Sequence, residues 1–158
     1  MDTRFQTISR LVDDYSRKLL AYSRLICRDT ELARDAVADT FHKLCTLKTI
    51  DEAKIGAWLY KTCRNTTIDI LRKQKFYAEF DESYISSLAD DSYLPDILQR
   101  ERLLALISKL PQQQREILML RYFSDLKYSE IAEILKIPAS SVGVSISRAI
   151  ETLRQQQF

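Results

Sequence analysis

Side chains able to do covalent, metal or acid–base chemistry are few and scattered in this chain. It has one histidine, His42, and three cysteines, Cys27, Cys45 and Cys63. His42 and Cys45 sit three residues apart and could share a helix face, but a pair of donors falls short of a zinc set. An odd number of widely spaced cysteines argues against a disulfide framework; they read as small apolar core residues beside a surface histidine. There is no glycine-rich phosphate loop and no nucleophile–base constellation, so neither an enzyme, a metal nor a cofactor is expected. The chemistry that remains is electrostatic. Asp35 and Asp39 lie one helical turn apart, as a solvated face or a docking surface for a basic partner. Lys61, Arg64, Asn65, Ile68, Arg72 and Lys75 fall in one narrow sector when plotted at roughly 100° per residue. The stripe holds basic, amide and apolar groups with no alternating acid, which suits phosphate tracking better than a salt-bridged outer face. The sign then reverses: from Phe76 to Asp96 there is no Lys or Arg, while Glu79, Asp81, Glu82, Asp90, Asp91 and Asp96 accumulate.

Helices must position these groups. With 2 glycines and 3 prolines in 158 residues, the chain lacks the turn residues of an all-β fold; its 46% apolar and 29% charged residues suit a folded all-α protein. Phe5, Ile8, Leu11, Val12, Leu19, Leu20, Tyr22, Leu25 and Ile26 keep helical spacing. Asp29 or Thr30 can cap a second helix with Glu31 in its first turn, its buried stripe being Leu32, Ala36, Val37, Phe41 and Leu44. A third helix carries the basic stripe, with Leu59, Cys63, Thr66 and Ile70 on its buried side. Serines and Pro95 break the period across the acidic run, which reads as a linker. Two small helical domains follow, residues 1–75 and 97–158, joined by an acidic linker, 76–96. In the second, Pro111 suits a first helical turn. Ile131, Ala132 and Leu135 form a short apolar face, "KIP" makes a tight break, and Val142, Ile146, Ala149 and Leu153 resume the period. Two helices joined so tightly must cross steeply, with a small alanine at the crossing. That is a helix-turn-helix, unless it is a hairpin packed for structure alone. No apolar run approaches the roughly 18 residues of a membrane span, and the N-terminus lacks the apolar core of a signal peptide. Membrane insertion is not expected, and a cytoplasmic location is.

"ELARDAVADTFHKL", "AWLYKTCRNTTIDILRKQK", "LPQQQREILMLRYF" and "YSEIAEILKIPASSV" resemble, in order and with matching gaps, the signature regions of bacterial RNA polymerase sigma factors of the sigma-70 family. The short length, with only a linker between the second and third blocks, resembles the extracytoplasmic-function (ECF) group. The resemblance implies a region 2-like domain that binds core RNA polymerase and the minus-ten promoter element, and a region 4-like domain that binds the minus-thirty-five element. Asp35 and Asp39 match acidic positions of the core-docking helix and Phe41 a buried aromatic there, while Ala38 stands where the family usually has glutamine. Lys61, Arg64, Asn65, Arg72 and Lys75 match the face that meets minus-ten DNA, and Thr49 to Ile55 the loop that captures a base rotated out of the duplex. A partner anti-sigma factor is implied as well.

The second domain departs from that pattern. Gly143, Ser145 and Ile150 replace residues that are commonly basic, leaving Ser140, Ser141, Val144 and Arg148 to face DNA. Lys127 stands where a capping Ser or Thr is expected and could touch a phosphate instead. Weaker reading of the minus-thirty-five element than of the minus-ten is the expectation. The competing functions are an autonomous helix-turn-helix regulator and a sigma-like sequestering protein without promoter activity.

Overall fold

The computed structural model describes residues 3–77 and 98–156, with side chains described over 3–74 and 102–156. Among them are seven helices and no strand: α1 (Thr3–Cys27), α2 (Thr30–Thr46), α3 (Ile55–Tyr77), α4 (Leu98–Ser108), α5 (Gln112–Tyr122), α6 (Tyr128–Leu135) and α7 (Ala139–Gln156). The chain divides into two compact units, Met1–Asp90 and Asp91–Phe158. The third helix runs through Phe76 and Tyr77, two residues past the expected start of the linker; the rest of that linker, with its acidic residues, lies outside the described residues.

In the first unit α1, α2 and α3 pack pairwise. The turn from α1 to α2 is made by Arg28 at a left-handed φ of 59°, after which Asp29 caps α2: its Oδ1 accepts from the N–H groups of Glu31 (2.9 Å) and Leu32 (3.2 Å). Two of the helix's otherwise unsatisfied donors are thereby paired, as the aspartate and first-turn glutamate foretell. Leu19, Tyr22, Leu44, Leu59, Tyr60 and Cys63 are buried in the core. Tyr60 meets Tyr22 edge-on at 5.5 Å and Tyr15 at 6.3 Å, so one aromatic of α3 grips two of α1. The expected stripes need correction at their edges. Leu32, Phe41 and Ile70 are only half-buried, and Phe5 is 68% exposed. Small or hydroxylated residues, Ser23, Ala33, Thr40 and Thr67, occupy interior positions instead, and Thr66 is buried as expected. Three helices this close leave room for hydroxyls that bond inward: Ser23 Oγ and Thr67 Oγ1 pair at 2.7 Å, and Thr40 Oγ1 donates to the Ala36 carbonyl.

In the second unit α5 and α6 both pack on α7, and α4 contacts α5 and α7. Pro111 is the N-cap of α5, one residue before the first helical turn to which its sequence position pointed. Arg115 and Glu116 on α5 are buried, a charge burial tolerable only with partners: Arg115 Nη1 donates to the Leu110 carbonyl at 2.7 Å and Glu116 Oε2 accepts from Gln112 Nε2 at 3.2 Å. Lys136 turns α6 into α7 at φ 58°, ψ 44°, with the Ile137 N–H returning to the Ala132 carbonyl at 3.0 Å. Ile131, Ala132, Ile134 and Leu135 then close on Val142, Ile146 and Ala149, all buried; Leu153 is half-buried. Lys127 caps α6 without a side-chain acceptor, since an ammonium has no lone pair. Half a capping box survives, because the Lys127 N–H donates to Glu130 Oε1 at 2.9 Å.

The two glycines lie in opposite surroundings. A Cβ at Gly143 would find Tyr128 Cε2 at 3.9 Å, whereas one at Gly56 would sit 2.8 Å from Tyr15 Oη. Gly143→Ala should therefore stabilise the second unit by about 0.5–1 kcal/mol, and Gly56→Ala should destabilise the first. Amide hydrogen exchange on the full chain reads both units separately; shifts of the same sign would contradict this packing.

Candidate functional site

The outward face of α2 carries the first charged group. Asp35, Asp39 and His42 are exposed. Lys43 Nζ lies 3.3 Å from Asp39 Oδ2 and 3.1 Å from Thr66 Oγ1, so one ammonium ties the acidic face of α2 to α3. As an exposed i,i+4 pair it contributes only about 0.3–0.5 kcal/mol, and Asp39 remains available to a better-placed cation.

Along α3 the structure sets Lys61, Arg64, Asn65 and Ile68 half-buried and Arg72 exposed, while the Lys75 side chain lies outside the described residues. Long cationic side chains in this position lay their stems on the helix and present their heads outward. The stripe is less free of acid than its sequence indicates: Asp69, at its margin, approaches Arg72 Nη1 at 4.0 Å. Lys61 and Arg64 also interact within the folded chain. The cationic face is thus partly held in place, with Arg72 tempered by a carboxylate one turn away.

Between α2 and α3 the loop is fastened to α1. Arg4 Nη2 donates to the carbonyls of Cys45 (3.1 Å) and Leu47, and its Nη1 to that of Lys48 (3.3 Å). A guanidinium at these carbonyls supplies the donors that the end of α2 lacks and a positive charge where the helix dipole is negative. Arg10 pairs with Glu52, and more loosely with Asp14 at 3.7 Å. Asp51 shapes the turn itself, its Oδ1 accepting from Ala53 N–H and its carbonyl from Lys54 and Ile55 N–H. Ile55, expected within the loop, instead heads α3 and is buried. Thr3, Arg4, Thr7, Ile50 and Glu52 line a shallow cleft here.

In the second unit a shallow depression over α7 is lined by Tyr128, Ser140, Gly143, Val144, Ser147, Arg148 and Glu151. It gathers three of the expected residues, Ser140, Val144 and Arg148. Ser141 is half-buried apart from them, its N–H turned back to the Pro138 carbonyl. Lys127 is exposed at the head of α6. Sequence reasoning missed Arg121, whose guanidinium stands 5.3 Å from the Tyr122 ring and 5.8 Å from that of Tyr128, at cation–π distance. Both tyrosines are about half exposed. A basic residue beside an exposed tyrosine was visible in "LRYFSDLKY", but the contact with Tyr128 needs the turn between helices.

The cysteines divide by burial. Cys45 is exposed, contrary to its reading as a core residue, while Cys27 and Cys63 are buried. Burial pushes the Cys63 thiol up to about 12, against the pull of Thr40 and Thr67 hydrogen bonds, and raises that of Cys27. Both are therefore neutral thiols near neutral pH. Because their folded values lie above the ordinary 9.0, the stability linked to them is complete below that value and lost as pH climbs through the folded one. A thiol reagent on the native chain is expected to label Cys45 first, and stability of the first unit to fall from about pH 9 upward; early labelling of Cys63 would contradict the buried assignment.

Known proteins align with both units. The family model for sigma-70 region 2 matches residues 11–77, and that for sigma-70 region 4 matches residues 100–153. The chain is similar to RNA polymerase sigma factor SigV of Bacillus subtilis, 33% identical over 142 residues that cover 87% of this chain and 81% of the relative. It is 28% identical to ECF RNA polymerase sigma factor SigM, over 94% of this chain and 93% of that one. With ECF RNA polymerase sigma factor SigW it shares 29% identity, covering 92% and 86% respectively.

Proposed function

The chain belongs to the sigma-70 family of RNA polymerase sigma factors, in its ECF group, and from that premise we propose how its two units divide the work of initiation. It is a DNA-binding transcription initiation factor rather than an enzyme. The first unit, as a region 2-like module, docks on core RNA polymerase through Asp35 and Asp39 and engages the minus-ten element through Lys61, Arg64, Asn65, Arg72 and Lys75. The loop before α3 receives a base turned out of the duplex. Extrusion costs a few kcal/mol; contacts to the separated strand offset it, stacking on an aromatic ring being worth ~1–3 kcal/mol per base. Opening is driven by binding, with no covalent step. The second unit, as a region 4-like module, reads the minus-thirty-five element through Lys127, Ser140, Val144 and Arg148, with Ser141 at its margin. An anti-sigma factor that covers both DNA-binding faces is the regulatory partner, and the cytoplasm is the site of action.

The observation that carries this reading is that exposed Asp35 and Asp39 on α2 and the cationic stripe of α3 are borne by two helices that pack together within one three-helix unit. An autonomous regulator has no use for an acidic docking face next to its DNA-binding helix. Weak reading by the second unit is supported by its depression, where Gly143 and Ser147 offer no charge and Glu151 adds a repulsive one. Arg148 is left as the side chain there able to grip guanine bidentately, worth ~1–3 kcal/mol of discrimination.

Pull-down with core polymerase, followed by run-off transcription, tests the proposal. Asp35→Lys with Asp39→Lys should abolish co-purification with core. Lys61→Glu with Arg64→Glu and Arg72→Glu should retain co-purification and lose the transcript. Retention of both activities in both variants would refute the assignment, and promoter binding without core would favour an autonomous regulator. In a footprint, protection should be firm at the minus-ten element and faint at the minus-thirty-five. Each duplex phosphate contact removed should flatten the salt dependence by about 0.9; full protection at the minus-thirty-five element alone would contradict the order of strengths.

A further inference from the structure

The loop between α2 and α3 is held from outside itself. Its internal bonds centre on Asp51, in a single tight turn. Among the described residues, two arginines of α1 fasten it from outside. Arg4 gathers three carbonyls, of Cys45, Leu47 and Lys48, at its N-terminal side, and Arg10 pins Glu52 near its C-terminal side. A guanidinium suits the first task because its planar fork can serve several acceptors at once. We propose that Arg4 and Arg10 are positioning residues that clamp the 47–54 loop in its base-receiving conformation and so govern promoter opening; Arg10 does this without a share in folding or polymerase docking, whereas Arg4 also caps the end of α2.

This rests on the reading of that loop as the receiver of the extruded base. A loop left to fluctuate would have to be ordered when the base arrives, and that cost would come out of the binding free energy. Ordering it beforehand, by contacts made in the free protein, removes the cost. The Arg10–Glu52 pair is half exposed on one side and 64% exposed on the other, a setting in which ion pairs add little to folding stability. Its effect is on where the loop sits. It also neutralises Glu52, an anion that would otherwise face the negatively charged strand.

The test uses the full chain assembled with core polymerase and a duplex promoter fragment carrying a fluorescent adenine analogue within the minus-ten element. Arg10→Ala and Glu52→Gln are each expected to slow the fluorescence rise about fivefold, equivalent to about 1 kcal/mol, with thermal midpoint and core affinity unchanged. The charge swap Arg10→Glu with Glu52→Arg, made with Asp14→Asn to remove the carboxylate beside position 10, should restore the rate. Arg4→Lys should behave like Arg4→Ala, because an ammonium cannot reproduce the fork. Glu52→Gln separates clamping from bulk charge: removing an anion would speed opening if only phosphate attraction mattered, and a faster rate overturns the proposal. So does a swap that fails to rescue, or, in the Arg10 and Glu52 variants, a parallel loss of stability and core affinity, which would mark a structural role. If the unmodified holoenzyme gives no fluorescence rise, the base-receiving reading falls and the clamp with it; if it opens the fragment and every variant matches it, the clamp alone falls.

Discussion

The hydroxyl pair of Ser23 and Thr67, 2.7 Å apart in the interior of the first unit, sets the terms on which α1 and α3 meet. A buried hydroxyl pair is worth most when its geometry is kept, so the two helices are favoured at the rotation and height at which these groups coincide. Thr67 also donates to the Cys63 carbonyl at 2.7 Å, and the Cys63 thiol reaches the Leu19 carbonyl at 3.8 Å, so the same contact links one helix to the backbone of the other. An all-aliphatic seam would tolerate a small roll of α3. This one resists it, and the roll so favoured orients Lys61, Arg64 and Arg72 as a group. The charged face is therefore a product of the interior as much as of the surface residues that compose it.

The second unit solves its problem with size rather than polarity. Ala132 and Ala149 are small and buried, and Val142 and Ile146 fill the space between. The connection is short enough that Lys136 must take a left-handed conformation usually left to glycine. The recognition helix is thereby well seated yet sparsely equipped, since Val144 is its prominent apolar projection, at 53% exposure. Good seating and the weak reading proposed for it are compatible because they belong to opposite faces of α7.

Much of this was legible beforehand for an identifiable reason: helix periodicity and caps are local. Asp29 followed by Glu31 marks the start of α2, and the break at "KIP" marks the turn before α7, because both signals act within one turn of chain. What escaped were contacts between residues far apart in sequence. Arg4 with Leu47 and Arg10 with Glu52 join residues more than forty positions apart, and neither arginine stands out in its own helix. Ser23, Thr40 and Thr67 were invisible as core residues because a hydroxyl enters an interior only when a partner awaits it. The Asp69–Arg72 approach was local and could have been seen; a narrow angular sector left out an acid at its border.

Lys43 lends the acidic face of α2 a final property. Its ammonium already occupies Asp39 while also holding Thr66 on α3. A cation arriving at that carboxylate meets a charge already shared, and where it takes the same oxygen it displaces a tenant. The event is an exchange, in which one ion pair is surrendered for another, so the net gain is smaller and less sensitive to ionic strength than the charge itself would suggest.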